Sequence, residues 1–551
     1  MMILDEELFE GRVDELLGEL EGEFFEKAAG GKLEGPPDSS GGGAKKGPGS
    51  LAKIFFGSLR SGGLYPAAYL YLALPTLIFA LGWLKPVFAV ALGALVACSI
   101  WLMSKRAREA GLQRSRKKRI EWKYLAAFGI ILFWVAISGV GRFSYQSGDH
   151  YVKNGSFEEL VTEKWPVVYE APEAFSNQPV GVVYYIGFWL PSALVGKAFG
   201  LEAGYAFQAL WAALGIYLFY RIVTEKFAKK PVLWPLMVII FFSGLDAAGE
   251  YLVSGESLKT ILTGGTEHME WWMGFPRFQY SSMTTQLFWV FNQAVPAWLC
   301  TAAMIAQKDN RSIAMLVGLS MITGVFPAIG LAMLALFMLG RAAAGTIRSE
   351  NPYPRKIRGF IGEHITLENC AGLLVAGVYA VYFMGNMSGQ GGRFREWNTF
   401  AGLLISVLVF FAVEAGVYLA AIARDNKKNY LFYYVIVSLL LVCPWYCLGA
   451  YNDFCMRASI PALAVLVCLV IGAMAKAMRK KRRGALAVLI GLLVIGAATP
   501  MREIVVSVKE TVRAETDGGS QYKETMAPMD FWGRDQYYGY TDNAFFKWLA
   551  R

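Results

Sequence analysis

The sequence predicts an all-α polytopic membrane protein, and three observations predict it. Windows of roughly 17 to 25 residues recur with almost no charge, which is the length a helix needs to cross a hydrocarbon layer about 30 Å thick. The 551 residues are 55% hydrophobic and 14% aromatic, more apolar than the core of a soluble domain requires, so the excess must face lipid. Lys and Arg give a formal net charge of +10, yet they stand in short clusters between the apolar windows and not along one amphipathic face. That pattern encodes topology and argues against nucleic-acid binding. Alternating short strands are lacking, which argues against an outer-membrane barrel.

Along the chain, residues 5–28 place Leu8, Phe9, Val13, Leu16, Leu17, Leu20 and Phe24 at helical spacing, with Asp and Glu filling the other face. An acidic amphipathic helix is repelled by anionic lipid, so it is expected to dock a partner or stay solvated. Residues 29–50 are rich in Gly, Pro and Ser and read as a linker; no apolar signal segment precedes them. Candidate spans follow at 64–82, 86–104, 124–141, 202–222, 231–247, 285–306, 311–324, 325–340, 368–384, 399–422, 430–449, 459–477 and 484–500, a bundle of about 13 helices. Basic clusters at 105–123, 224–230, 307–311, 424–429 and 478–484 are expected to be cytoplasmic.

That requirement decides two ambiguous segments. Residues 180–199 are long enough to span, but a crossing there would reverse the side of the basic clusters at 224–230 and 307–311; a juxtamembrane helix broken at Pro191 satisfies them. Likewise 311–340 must be a pair of short spans turning near Gly324 and Pro327. The chain then divides into a cytoplasmic region 1–50, a transmembrane hairpin and basic loop 51–123, a transmembrane region 124–500, and a tail 501–551 on the far side. The N-terminus is expected in the cytoplasm and the C-terminus outside. Seven Cys, most of them in apolar windows, show no disulfide spacing, and only Cys455 is expected in a loop.

The outer side receives two long loops, 142–200 and 248–284, and loops of this length beside a membrane usually hold a site. Asp149 stands just beyond a span end, where partial desolvation suits a carboxylate to act as a base; a loop-capping role is the competing explanation. Asp246 and Glu250 fall four residues apart on one helical face, and acids at membrane depth are expected to line a wet cavity. The loop GGTEHMEWWMGFPRFQYSS adds Glu267, His268 and Glu270 beside two Trp. His150 and His268 each follow an acid directly, so a divalent cation held by Asp149, Glu267 and the two His is conceivable, without tight ligand spacing. Gln293 sits near an outer span end and suits a hydroxyl, or helix packing. Arg393 and Arg395 beside flexible glycines, and Arg457 four residues after Asp453, suit phosphate; an Asp453–Arg457 ion pair is the structural alternative. Glu414, an acid in mid-span, has no assigned role. Phosphate-loop, dinucleotide, zincin and nucleophile-elbow motifs are lacking, so cytosolic nucleotide chemistry has no support.

Four features together resemble the GT-C class of membrane glycosyltransferases. They are an outward span ending in the Asp-bearing loop SGDHYVKN, an amphipathic loop helix with WPVVYE, the juxtamembrane segment QPVGVVYYIGFWLPSALVGKAFG followed by an inward span ending in basic residues, and the acidic GLDAAGE after the next span. The resemblance covers roughly residues 124–500. It implies an inverting transferase of a bacterial cytoplasmic membrane that moves a sugar from a polyprenyl-phosphate donor to a lipid, glycan or protein acceptor on the outer side. Carried over, Asp149 is the catalytic acid of the first loop, with Asp246 or Glu250 a second; His150, Lys153, Glu267, His268, Gln293, Arg393, Arg395, Asp453 and Arg457 are candidates to bind substrate. The extra hairpin at 64–104 and His150 depart from the class, which leaves metal use open. A transporter or flippase, or a polymerase or ligase, of lipid-linked glycans is the alternative.

Overall fold

Why the apolar windows become long helices follows from the solvent: in hydrocarbon every backbone N–H and C=O must be satisfied within its own segment. The computed structural model describes residues 63–110, 122–230, 232–263, 269–272, 278–350, 352–389, 391–396, 399–449, 452–516 and 525–551. The helix and linker expected within 1–50 lie outside the described residues. Among the described residues nine helices are long and apolar enough to cross a membrane, or ten if one bent pair is a single span, so this is an integral membrane protein of mainly α structure.

The spans begin with the hairpin α1 (Leu64–Trp83) and α2 (Pro86–Glu109). A short apolar helix, α3 (Trp122–Ala136), leads to the first large loop, which carries α4 (His150–Thr162), β1 (Val168–Tyr169), β2 (Val180–Val182) and α5 (Leu190–Phe199). There follow α6 (Leu201–Val223), the broken pair α7 (Trp234–Phe241) and α8 (Asp246–Ser254), the short α9 (Leu258–Thr263), and α10 (Met283–Ala306). Then come α11 (Ile313–Met321), α12 (Val325–Arg348), α13 (Tyr353–His364) and α14 (Leu367–Phe383). After β3 (Arg393–Phe394), helices α15 (Phe400–Phe411) and α16 (Val417–Asn426) join through a π-helical turn at Ala412–Gly416. The last run is α17 (Tyr430–Ile436), β4 (Tyr446–Cys447), α18 (Asp453–Ala458), α19 (Ile460–Arg479), α20 (Arg483–Gly496), α21 (Ala498–Thr516) and β5 (Tyr538–Tyr540).

The expected count of about 13 spans is not reached by length. Helix α11 has nine residues, about 13 Å at 1.5 Å per residue, which does not cross a bilayer alone; α3 and the helix Tyr430–Val442 are apolar but short. Residues 180–199 form no span, as the basic loops require: they are a strand, a single 3-10 turn and a ten-residue helix. Pro191 starts that helix and does not break it, its missing N–H falling in the first turn where none is needed. Cys455 is buried in α18 and not in a loop, and all seven Cys are free thiols.

Helices α10 and Asp453–Arg479 are 94% buried along their apolar windows, whereas Pro86–Glu109, Val325–Arg348 and Arg483–Thr516 leave most of theirs uncovered. Two central spans surrounded by lipid-facing ones is the order a hydrocarbon solvent imposes. Close helix contact is made by glycine: a Cβ on Gly372 would meet the Met315 amide nitrogen at 2.2 Å, and one on Gly318 the Gly372 carbonyl at 2.4 Å, so α11 and α14 touch backbone to backbone.

The basic clusters gather at one end of the bundle. Arg106 pairs with Glu368, Lys308 donates to the Ala110 carbonyl, and Asp425 pairs with Lys476 and Arg482. The opposite, loop-rich end holds the α1–α2 turn, the 142–200 loop, β3, β4 and the tail. There β2 pairs antiparallel with both β1 and β5, Val180 opposite Tyr540 and Val182 opposite Tyr538. Lys85 donates through Nζ to the Lys547 and Trp548 carbonyls, and Leu84 bridges to Ala550. Residues 525–551 are therefore no independent tail but the third strand and a flank of the first loop's small sheet.

Candidate functional site

The 142–200 loop turns into α4 at Asp149. The Asp149 side chain caps no amide there; it accepts from Lys153 Nζ at 3.1 Å, one helical turn on. From the other side of the fold, Asn452 adopts a left-handed conformation and starts α18, in which Arg457 Nη2 meets Asp453 Oδ1 at 3.2 Å. Two acid–base pairs at i,i+4 spacing, over 300 residues apart in sequence (457 − 149 = 308), thus come close enough for Arg457 to act on Asp149 and Asp453 on Lys153. All four residues are ones the sequence singles out.

Asp149 leaves 46% of its side chain exposed whereas Lys153 leaves 7%, so the charged groups meet at a recess that is open at Asp149. Burial alone would raise the Asp149 carboxyl, but Lys153 and then Arg457 hold it below its ordinary value. Burial lowers the Lys153 ammonium, against the pull of Asp149, and Lys153 also donates to the Trp289 carbonyl. That carbonyl lies beside Val290, whose φ of −132° kinks α10. Three tyrosines complete the wall. Tyr184 stands 4.8 Å from Tyr185 and 4.3 Å from Tyr537, ring centre to ring centre, and the charge of Arg457 reaches all three. None of the three is predicted from sequence; the only available signal is the pair of adjacent tyrosines in GVVYYIG.

His150 does not belong to this recess. It is buried, stacked on Phe291 at 5.6 Å, with Ser147 Oγ 3.1 Å from Nδ1. Burial, then Lys153, push its imidazole down to about 3, so it is neutral. Neighbours on a helix point about 100° apart, and His150 turns inward where Asp149 turns out, so in this structure it packs.

One face of α4 is tied to the sheet. Glu159 Oε1 accepts from Tyr169 at 2.8 Å and from Tyr538 at 2.7 Å, and burial pushes its carboxyl up to about 7. A carboxyl raised in the fold stabilises it below the unfolded value and loses that contribution as pH rises through the folded one. Thermal stability is therefore expected to fall between about pH 4.5 and pH 7, and Glu159→Gln to flatten the fall; an unchanged profile in that variant would remove Glu159 from the cause.

Asp246 and Glu250 separate although they share a helix. Asp246 is buried, and its Oδ2 accepts from Ser243 at 2.6 Å and Thr499 at 2.7 Å; Glu250 is partly exposed and outside that cluster. Beside Asp246 lies Glu414, on the π-helical turn, accepting from Trp272 Nε1 at 2.8 Å. The two carboxyls face each other, and Asp246 Oδ1 and Glu414 Oε2 are buried with no other hydrogen-bond partner among the described residues. Gly244 permits this approach, since a Cβ there would sit 1.7 Å from Glu414 Oε2. Glu270 adds a third carboxyl, accepting from Ser282 N at 2.8 Å and Gln279 Nε2 at 3.0 Å; burial, then Asp246, push it up. So the acids expected over one wet cleft divide into a recessed pair at Asp149 and Asp453 and a buried group at Asp246. Trp289 links them, its carbonyl taking Lys153 and its Nε1 donating to Glu503 at 3.0 Å.

Arg395 is buried and occupied: its Nε donates to the Pro444 carbonyl at 2.9 Å, it lies 3.8 Å over Phe278, and Asn452, in the amide orientation that satisfies both groups, accepts from Nη2 at 2.7 Å. It therefore braces the strand pair β3–β4 and the start of α18, and holds Asp453 in place indirectly. Arg393, exposed on β3, is not shown near the recess. Gln293 is buried against Gly324, its Oε1 without a hydrogen-bond partner among the described residues. Glu267 and His268 lie outside the described residues, and among these no group of three His, Cys, Asp or Glu could hold a metal ion.

No family model, curated protein or solved structure matches the chain. The site's chemistry is thus read from its own residues: a carboxylate kept ionised, two cations able to hold an anion beside it, and phenols lining the space between.

Proposed function

We propose that the protein is a GT-C-like membrane glycosyltransferase that moves a sugar from a polyprenyl-phosphate donor to an acceptor at the loop-rich end. The observation that carries this reading is the meeting of Asp149–Lys153 with Asp453–Arg457 in one recess. Transfer from a sugar phosphate is displacement at the anomeric carbon, so it needs a base at the acceptor hydroxyl and positive charge at the departing phosphate. Asp149 supplies the first and Arg457, with Lys153, the second; the tyrosines offer flat faces for the sugar. The positive-inside rule supports a cytoplasmic basic end, and on this reading the reaction belongs to the outer face of a bacterial cytoplasmic membrane.

The test is the lipid that co-purifies. Mass spectrometry of the wild-type chain extracted in mild detergent should find a polyprenyl phosphate, and Arg457→Gln should reduce its occupancy about tenfold or more, as loss of one charge-assisted contact predicts. Equal occupancy in the variant would count against Arg457 as the phosphate partner.

A transporter of lipid-linked glycans is the second reading, favoured by the buried, facing carboxyls Asp246 and Glu414 within candidate spans. It predicts that Glu414→Gln stops lipid movement across proteoliposomes, whereas the transferase reading predicts normal transfer in that variant.

A further inference from the structure

At the basic end, α13 lies at 55° to α14, too oblique to continue it as a straight span. Its sequence, YPRKIRGFIGEH, sorts cleanly by face. Tyr353, Ile357 and Ile361, at i, i+4 and i+8, are all exposed, while Arg355, Lys356 and Arg358 fall on the remaining arc. An exposed apolar stripe backed by basic residues is the pattern of a helix lying in the membrane interface. Helix α13 is not adrift: His364 Nε2 is 3.2 Å from Asn310 Nδ2, and Lys356 Nζ donates to the Ile347 carbonyl at 2.9 Å.

Between α13 and the last turns of α12 is a cleft of about 410 Å³ lined by Lys308, Arg341, Arg355 and Lys356 and by two acids, Asp309 and Glu363. Arg341 is held 4.9 Å over the Tyr430 ring at its rim. A neighbouring cleft of about 570 Å³ shares Asp309 and Glu363 and adds Arg106, which pairs with Glu368, with Arg311 and Arg358. The basic residues thus border an open cleft beside a helix whose apolar side leads away from it, including Ile347 on α12, which is 72% exposed.

We propose that this cleft binds the phosphate-bearing headgroup of an anionic phospholipid, its acyl chains running along Ile347 and the apolar stripe of α13. Charge complementarity selects the anion, since a zwitterionic headgroup would bring a cation into a wall already rich in them. The adjoining apolar surface selects a lipid over a free phosphate, which would leave that surface bare.

The experiment compares the full chain, delipidated in a neutral detergent, with phosphatidylglycerol, phosphatidylcholine or inorganic phosphate added. Phosphatidylglycerol is expected to raise the Tm and to remain bound in native mass spectrometry; the other two are not, because only a ligand that binds the folded state stabilises it. Arg341→Gln combined with Arg355→Gln is expected to lose most of the phosphatidylglycerol shift. Arg355→Gln alone, on the surface helix, supplies a variant whose folding is not at issue and should lose part of it. An equal rise with phosphatidylcholine, an equal rise with inorganic phosphate, or an undiminished shift in the double variant would each overturn the proposal.

Discussion

Asp149→Asn is expected to reduce sugar transfer by about 10²- to 10⁴-fold, the range over which a positioned general base acts, while the chain still inserts and folds. The asparagine keeps the carboxylate's shape but cannot take a proton. Asp149 is exposed over 46% of its side chain and caps no helix, so its loss costs the fold little. What it removes is local. Lys153, only 7% exposed, loses its carboxylate partner, and its ammonium should fall further than burial already brings it. The loss should fall on kcat, since Arg457 and the tyrosines remain to hold the donor. Because Lys153 and Arg457 keep the Asp149 carboxyl below its ordinary value, this residue should impose no loss of activity between neutral and mildly acidic pH. Transfer at the wild-type rate by Asp149→Asn, measured in proteoliposomes with a polyprenyl-phosphate sugar, would rule Asp149 out as the base.

Removal of residues 525–551 should have an effect of the same order. Tyr537 forms one wall of the recess, β5 is the outer strand of its sheet, and Gly155 in α4 packs so tightly on the Met526 carbonyl that a Cβ would stand 2.0 Å from it. Without them α4 loses the surface that fixes Asp149 and Lys153, and a displacement of about 1 Å in a reacting group already costs about 10²-fold. Tyr537→Ala keeps the strand and tests the wall alone; it should impair transfer while the Tm stays close to wild type. If the truncated chain transferred sugar normally, the recess would not be where the chemistry occurs.

The parts of this fold that are legible in the sequence are those governed by short-range rules. Basic loops fix the parity of the spans, and that parity alone places 180–199 off the list of crossings, where the chain indeed forms a strand and a short helix. The two ion pairs are legible for the same reason, since Asp149–Lys153 and Asp453–Arg457 each repeat at one helical turn. Other features depend on contacts that no local pattern encodes. Strands of two and three residues are too short to show alternation, so the sheet joining 168–182 to 538–540 leaves no trace, and Tyr537 with it. Glu414 acquires its partner Asp246 across the bundle, through a π-helical turn. His150 shows the opposite failure: it is adjacent to the Asp149 carboxylate, but one residue's rotation of about 100° separates the recess from a packed interior.

The hydrogen bond from Tyr538 to Glu159 spans 379 residues of sequence. During synthesis the first loop must therefore wait, with every intervening helix already threaded into the bilayer, before its third strand emerges and docks. A chain halted between Thr516 and β5 would own every span yet lack the strand that finishes this sheet, so the loop-rich end is completed last, as the clasp that closes a purse is fitted after the bag is sewn.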